Sequence, residues 1–214
     1  MQSVALIDYG SGNLRSAEKA LRRAAGTLTR APEIVVTADP DIVARADRVV
    51  LPGVGAFAAC MAAFEAREGL EDAMSEACRR RGAPFLGICV GMQLLADRGL
   101  EFGETKGLGW VPGDVARIAP ADPAAKVPHM GWNGLIETRD HPLLADLPDE
   151  THFYFTHSFA MTPKAPADRL AAVDHGGRFT AAVARGNIAG VQFHPEKSQG
   201  AGLKLLANFL EWTP

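Results

Sequence analysis

The chain has 214 residues, and its 22 Lys plus Arg against 25 Asp plus Glu give a net charge of −3. A hydrophobic content of 47% and a charged content of 22% are ordinary for a globular protein, which excludes intrinsic disorder and fibrous repeats. The charged residues form no basic block, so the sequence does not favour nucleic-acid binding. Since this length supports one good-sized core, we expect a single domain over residues 1–214.

The three cysteines, Cys60, Cys78 and Cys89, are odd in number and widely spaced. This pattern argues against a disulfide framework or a zinc site and favours a reducing compartment. Cys60 and Cys78 lie inside helical patterns, where a free cysteine is usually a small buried hydrophobic residue. The first residues carry no basic leader, and Asp8 ends their apolar run early, so they predict neither a signal peptide nor a membrane span. We therefore expect a cytoplasmic protein with no metal site.

In the first half, short continuous apolar runs alternate with helical patterns. The apolar runs predict strands, each buried on both faces, at residues 4–7, 34–36, 49–51 and 85–88. The segments between them predict helices at residues 14–25, 41–46, 58–64, 70–81 and 92–96. Continuous strands separated by helices indicate an α/β fold with a parallel sheet flanked by helices.

From Trp110 onward, turn residues divide shorter strands. These strands are predicted at residues 111–118, 152–160, 170–173, 179–184 and 188–193, as antiparallel additions to the same body. A closing helix is predicted at residues 200–212, where Leu203, Leu206 and Leu210 have helical spacing.

The segment PFLGICVGMQ, residues 84–93, leads from an apolar strand into a helical pattern, with Gly87 and Gly91 two residues on either side of Cys89. This spacing is typical of a nucleophile elbow, whose sharp strand-to-helix turn crowds its neighbours. A helix N-terminus favours the thiolate form of Cys89, and the N–H of Val90 would point at a developing oxyanion. The alternative is that Cys89 is a buried apolar residue.

A cysteine nucleophile needs an imidazole within hydrogen-bond reach and a group that orients this imidazole. In GVQFHPEKS, residues 190–198, His194 follows an apolar strand and precedes Pro195 and Glu196. Proline favours an extended His194, and residues two apart in an extended chain point the same way, so the Glu196 carboxylate can reach the ring. The sequence therefore predicts Cys89, His194 and Glu196 as a catalytic set. Taken alone, His-Pro-Glu is also typical of an exposed turn.

The glycine-rich segment LPGVGAF, residues 51–57, supports two interpretations. Gly53, Gly55 and Ala58 have the G-x-G-x-x-A spacing of a dinucleotide-binding turn. That interpretation needs an acidic residue after a strand about twenty residues on, where this sequence is helical by pattern, so nucleotide binding is the weaker of the two. In the other, the backbone N–H groups of Val54 and Gly55 point at an oxyanion.

Together these motifs resemble the class I glutamine amidotransferases, in which a Cys-His-Glu triad hydrolyses the side-chain amide of glutamine. DYGSGNLRS at residues 8–16, LPGVGAF, VPHMGWN at residues 127–133, YFTHSF at residues 154–159 and GVQFHPEKS further resemble the glutaminase subunits of imidazole glycerol phosphate synthases. The resemblance covers nearly the whole chain. It implies a flavodoxin-like, mostly parallel sheet flanked by helices, with antiparallel strands added in the C-terminal half.

The resemblance also implies a role for each matched residue. Cys89 would attack the amide carbon, His194 would protonate the leaving ammonia and then activate water, and Glu196 would orient His194. The other implied residues are Val54, Gly55 and Val90 for the oxyanion hole, Gln93, His157, Ser158 and Phe159 for glutamine, and Asn13 and Lys197 for a partner. The alternatives are a surface amide at Gln93, a core strand at residues 154–159, and solvated side chains at Asn13 and Lys197.

The family's partner is a separate (β/α)8-barrel cyclase, which takes up ammonia and forms imidazole glycerol phosphate and aminoimidazole carboxamide ribotide. A barrel needs about 200 residues of its own, so the cyclase must be another chain, and the resemblance implies a heterodimer. It also implies a glutaminase that stays nearly silent until the cyclase binds its ligand, with rotation of the Gly53–Val54 peptide as the switch. We expect no cofactor.

Three alternatives remain at this point: a glutaminase of another pathway, such as anthranilate or guanylate synthesis; a cysteine protease or other amidase; and a non-catalytic interaction subunit. The segment at residues 26–37 is longer than usual in the family, so its path is open. Val90 stands where leucine is common, which leaves the backbone donor unchanged.

Overall fold

The computed structural model describes residues 2–148 and 151–214. The strands are β1 (Ser3–Ile7), β2 (Glu33–Thr37), β3 (Arg48–Gly53), β4 (Phe85–Cys89), β5 (Arg98–Gly99), β6 (Thr105–Lys106), β7 (Gly113–Arg117), β8 (His129–Ile136), β9 (His152–His157), β10 (Phe159–Pro163), β11 (Arg169–Asp174), β12 (Arg178–Arg185) and β13 (Ile188–Val191). The α-helices are α1 (Leu14–Ala25), α2 (Pro40–Arg45), α3 (Phe57–Glu65), α4 (Leu70–Met74), α5 (Val90–Gln93) and α6 (Gln199–Glu211).

The larger sheet has nine strands in the order β2-β1-β3-β4-β13-β12-β11-β8-β9. The strands from β2 to β13 in this order are parallel, and the pairs from β13 to β9 are antiparallel. This arrangement confirms the predicted α/β class, with a parallel part and added antiparallel strands. Its register places Gly53, at the end of β3, opposite Cys89, at the end of β4. The glycine-rich segment and the predicted nucleophile therefore leave the sheet side by side.

Two predictions about single strands are corrected. β3 and β4 are buried throughout, as expected, but β2 is an edge strand in which Val36 is 36% exposed, so its burial on both faces is wrong. Residues 188–193 were predicted as an antiparallel addition. A hairpin joins β12 to β13, so these two strands are antiparallel. This hairpin places β13 beside β4, to which it is parallel.

A second sheet of four strands, β10-β7-β5-β6, was not expected. The predicted strand at residues 152–160 is divided at Ser158: β9 ends in the large sheet, and β10 pairs with β7 in the second. β7 occupies the centre of the strand predicted at residues 111–118. No strand is predicted at β8, because its glycines and half-exposed side chains weaken the period-two pattern.

The helices agree with the predictions except for two. The predicted helix at residues 70–81 is α4 followed by a π-helical turn at Ser75–Arg80. In place of the predicted helix at residues 92–96, α5 covers Val90–Gln93, so it begins two residues earlier and ends three residues earlier. After α1, residues 26–32 form a turn that leads into β2. Within the described residues, no helix is long and apolar enough to span a membrane.

Candidate active site

Cys89 lies at the sharp turn between β4 and α5, with a backbone φ of 55° and ψ of −113°. A positive φ is strained for a residue with a side chain and is found where the surroundings enforce it. Neither Gly87 nor Gly91 can be replaced by a residue with a side chain, because its Cβ would collide with the backbone. A Cβ at Gly87 would lie 2.5 Å from the Gly91 carbonyl oxygen, and a Cβ at Gly91 would lie 1.9 Å from the Leu51 carbonyl oxygen. The predicted elbow is therefore a physical feature of this chain.

His194 and Glu196 lie in the turn that follows β13. Pro195 begins a 3-10 turn, Pro195–Lys197, and His194 before it is extended, as a residue preceding proline should be. The distance from His194 Nδ1 to Glu196 Oε1 is 2.7 Å, so Nδ1 donates to the carboxylate and Nε2 remains for chemistry. The Ser198 hydroxyl, which the sequence analysis did not select, donates to the His194 carbonyl at 2.6 Å and accepts the N–H of Tyr154 at 3.0 Å.

The charges around His194 favour its protonated form. Burial lowers the pKa of the imidazole, but the Cys89 thiol and the Glu196 carboxylate together raise the pKa of His194 to about 9. Within the described chain, His194 Nε2 has no hydrogen-bond partner of normal geometry, so its interaction with the thiol is looser than a formed hydrogen bond. Such looseness is common between a nucleophile and its base before substrate binds. The pair is suited to a thiolate beside an imidazolium.

One cavity of about 420 Å³ opens above the end of the parallel strands. Among the residues singled out in the sequence, its lining includes Asn13, Val54, Gly55, Cys89, Val90, Gln93, His157, Ser158, Phe159, His194 and Lys197. Glu196 lies behind His194. Two further lining residues, Glu101 and Thr156, were not selected; Glu101 Oε2 accepts the N–H of Phe57 at 2.9 Å at the start of α3. A separate cavity of about 330 Å³ beside His141 has a different lining.

A family model described as "Glutamine amidotransferase class-I" matches residues 5–212. The chain belongs to the class I glutamine amidotransferase family. It is 62% identical over 214 residues to the imidazole glycerol phosphate synthase subunit HisH of Caulobacter vibrioides, covering 100% of both chains. It is 59% identical over 212 residues to the subunit of the same name from Rhodospirillum rubrum, covering 99% of both. A solved glutamine amidotransferase structure at 19% identity has the same fold, with a TM-score of 0.69 and coverage of 97% of both chains.

The glycine-rich segment of this amidotransferase is held by two side chains that the sequence analysis missed. The Val54 carbonyl accepts from the Ser11 hydroxyl at 3.0 Å and from the Cys60 thiol at 3.4 Å. In a trans peptide the next N–H points away from the carbonyl, so the N–H of Gly55 is directed away from these donors. Gly55 has a φ of 102°, which suits glycine. Cys60 is therefore buried as expected but also makes a polar contact with this segment.

The dinucleotide interpretation of the same segment is wrong. Gly53 ends β3, the third strand of the chain, and Gly55 lies between β3 and α3, whereas the fingerprint should open the first βαβ unit. The acidic residues at the expected distance, Glu71 and Asp72, lie in α4 rather than after a strand. Among the described residues, no group of three or more His, Cys, Asp or Glu side chains is arranged to hold a metal ion.

Gln93 is not a surface amide, because it is 4% exposed and bonded on the cavity wall. Its Nε2 donates to the Phe159 carbonyl and to Gln192 Oε1, each at 3.0 Å. Gln192, which is fully buried, donates its own Nε2 to Cys89 Sγ at 3.7 Å, a normal distance for a sulfur acceptor. Gln192 is not among the predicted site residues, although it lies two residues before His194 in the same motif. These amides link the Phe159 side of the cavity to Cys89.

Proposed function

We propose that this chain is the glutaminase subunit of an imidazole glycerol phosphate synthase, which hydrolyses L-glutamine to L-glutamate and ammonia for a partner cyclase. The observation that carries the proposal is the set formed by Cys89 at a strained elbow and the His194–Glu196 pair in one cavity. Identity over the full length of two subunits of such synthases supports the choice of pathway over a protease or a glutaminase of another synthase.

In the first half of the reaction, the Cys89 thiolate forms a C–S bond to the side-chain amide carbon of glutamine. The developing oxyanion accepts hydrogen bonds from the N–H of Val90 and from the N–H groups of Val54 and Gly55. The His194 imidazolium then gives its Nε2 proton to the amide nitrogen, the C–N bond breaks, and ammonia leaves a γ-glutamyl thioester on Cys89. Glu196 stabilises the imidazolium throughout.

In the second half, neutral His194 takes a proton from a water molecule, and the resulting hydroxide attacks the thioester carbon. The C–S bond breaks, glutamate leaves, and the thiolate beside the imidazolium is restored. We assign Gln93, His157, Ser158 and Phe159 to the glutamine side of the cavity because all four lie in its lining.

The partner we propose is a (β/α)8-barrel cyclase that forms a heterodimer with this chain and receives the ammonia to make imidazole glycerol phosphate and aminoimidazole carboxamide ribotide. An exposed apolar surface beside the cavity supports this choice. Met130 and Trp132 on β8 are 63% and 46% exposed, which is unusual for side chains of this size. The Trp132 ring lies 6.1 Å from the Tyr154 ring, and Lys197 lies over that ring. Asn13 and Lys197 are the proposed partner contacts at the cavity rim.

Glutamate release from glutamine tests the proposal. It is measured with the chain alone, with a purified cyclase subunit, and with cyclase plus its nucleotide ligand, using Cys89→Ala as the blank. We expect low turnover alone, a strong rise in the full mixture and none in the blank. Fast turnover that the cyclase does not change would contradict the pathway and the partner. The absence of turnover in every mixture would favour a non-catalytic binding subunit.

We also propose that residues 1–214 form one amidotransferase domain that works in the cytoplasm. The family model spans residues 5–212, and the nine-stranded sheet takes strands from both halves of the chain. Limited proteolysis followed by mass spectrometry tests the single domain, since one domain is expected to resist cleavage between β4 and β13.

A further inference from the structure

Two buried histidines beside the cavity take no part in the proton transfers proposed above. His129 begins β8 and pairs in register with His157 at the end of β9. His129 Nδ1 lies 3.0 Å from His157 Nε2, and the side chains are 3% and 6% exposed. Buried polar atoms nearly always have a hydrogen-bond partner. Because each ring nitrogen of a neutral histidine either donates or accepts, the donor and the acceptor of each bond can be assigned from its partner.

The direction is fixed at one end by the Phe159 carbonyl. His157 Nδ1 lies 2.9 Å from the Phe159 carbonyl oxygen, and a carbonyl can only accept. His157 therefore carries its proton on Nδ1, and in the neutral ring Nε2 must accept. The group facing Nε2 is His129 Nδ1, so this atom is the donor.

The direction is fixed at the other end by Asn133. The Asn133 Nδ2 amide donates to the Asp174 carbonyl at 2.7 Å, while its Oδ1 accepts the N–H of Gly134 at 2.9 Å. These two backbone contacts prevent the amide from turning over. Asn133 can therefore only donate to His129 Nε2, which lies 3.2 Å away. The two ends give the same answer: both rings are neutral and protonated on Nδ1.

This chain of bonds has no place for another proton. A proton added to either ring would leave a donor facing a donor, at His157 Nε2 or at His129 Nε2. Burial and the neighbouring imidazoles act in the same sense. Burial, together with the nearby His157 and His175, lowers the pKa of His129 to about 3. Burial also lowers the pKa of His157 to about 4; the bond to the Phe159 carbonyl opposes this shift, and His175 and His194 add to it.

The same bonds continue to the nucleophile. The Phe159 carbonyl accepts from His157 and from Gln93, Gln93 bonds to Gln192, and Gln192 donates to Cys89 Sγ. We propose that His129 and Asn133 are positioning residues of the glutaminase site: they hold His157 in the neutral Nδ1-protonated form, which fixes the Phe159 carbonyl and, through the two glutamines, the Cys89 thiol. This proposal rests on the proposed function. It leaves His194 as the proton-carrying imidazole of the cavity.

The tautomers are read directly by long-range ¹H–¹⁵N correlation spectra of the whole chain labelled with ¹⁵N in its histidines. We expect His129 and His157 of the wild-type chain to be protonated on Nδ1 and not to titrate between pH 5 and 8. A proton on Nε2 of either ring, or titration of either ring in this range, overturns the proposal. Because the spectra need no glutamine and no cyclase, this result is independent of the proposed function.

Asn133→Asp tests the positioning role. The carboxylate replaces the donor with an acceptor, so His129 Nε2 should gain a proton at pH 7. Glutaminase turnover in the cyclase complex should then fall about tenfold, on the scale of one lost buried hydrogen bond. His129→Phe removes the donor to His157 without adding charge and should give a similar loss. If one of the two variants fails to fold, the other still tests the positioning role.

The matched control is His175→Phe. The His175 ring stacks on His129 with 4.2 Å between centroids, but its Nε2 bonds to the Lys126 carbonyl, outside the chain of bonds to Cys89. This variant should keep both tautomers and full turnover. Full turnover in a folded Asn133→Asp chain whose His129 tautomer has changed would overturn the positioning role.

Discussion

Two buried histidines, His194 and His157, line the same cavity, and their protonation chemistry is opposite. In the turn after β13, His194 donates Nδ1–H to a carboxylate and faces a thiol, and its pKa rises to about 9. On the β8–β9 pair, His157 donates Nδ1–H to a carbonyl and faces another imidazole, and its pKa falls to about 4. Burial lowers the pKa at both sites. The partners of the two ring nitrogens, rather than burial, therefore decide which histidine can carry a proton: a carboxylate and a cysteine sulfur at His194, a carbonyl and a neutral imidazole at His157.

The largest expected difference is between His194→Asn and His157→Asn. Loss of the proton carrier should reduce kcat/KM for glutamine in the cyclase complex by about 10⁴-fold or more, as for other catalytic imidazoles that act as a unit with the nucleophile. His157→Asn removes a positioning group and should cost about tenfold. Steady-state kinetics of both purified variants measure this. Equal losses would contradict the division of roles.

Glu196→Gln should have the next largest effect, about 10³-fold in kcat/KM, because the orienting carboxylate is replaced by a neutral amide. In the wild-type chain kcat/KM should decline above about pH 9, where the His194 imidazolium that protonates ammonia loses its proton. The variant lacks one of the groups that raise the pKa of His194, so its decline should begin at lower pH. A decline at the same pH in both proteins would remove Glu196 from the account.

Stability should depend on pH through the β8–β9 pair. The pKa of folded His157, about 4, is below the ordinary value of 6.5, so the unfolded state binds more protons and stability is lost as the pH falls below 6.5. Between pH 7 and pH 5 this histidine should account for about 2 kcal/mol of the loss. His157→Asn should lack that part, which urea unfolding at the two pH values measures. The His194 contribution cancels in this comparison, since both proteins contain it.

The smallest effects are expected at the glycine-rich segment. Ser11→Ala or Cys60→Ala removes one of the two donors to the Val54 carbonyl, worth about 1 kcal/mol, and should lower kcat in the cyclase complex about fivefold. Cys78→Ala is the control for losing a buried thiol, because Cys78 lies in the π-helical turn, in which burial raises the pKa of its thiol to about 12. An equal loss of kcat in Cys78→Ala would show that the Val54 contact has no special role.

The sequence predicts the parallel half well because its signals are local. The elbow glycines, the extended His194 before proline and the apolar runs of β3 and β4 each follow from steric or burial rules that act over a few residues. The closing helix and the triad candidates depend on the same kind of signal. The structure places these features close to where the sequence predicts them.

The antiparallel half was less predictable because its order comes from contacts between distant segments. β8 is half exposed, and its pairing with β9 and β11 depends on partners far along the chain. The break at Ser158, which sends β10 into a second sheet, has no local signal of its own. The bonds that join Asn133, His129 and His157 are likewise visible only after β8 and β9 are paired. Gln192 could have been found from the sequence, since residues two apart in an extended chain point the same way and Gln192 lies two positions before His194.

As the nucleophile, Cys89 should carry the γ-glutamyl group during turnover. Acid quenching of the cyclase complex while it consumes glutamine, followed by peptide mass spectrometry, tests it most directly. We expect a mass increase of one γ-glutamyl group on the peptide that contains Cys89 and no such increase on the peptides that contain Cys60 or Cys78. Continued glutamate release with an unmodified Cys89 peptide, or a modified peptide from either of the other cysteines, would contradict the account.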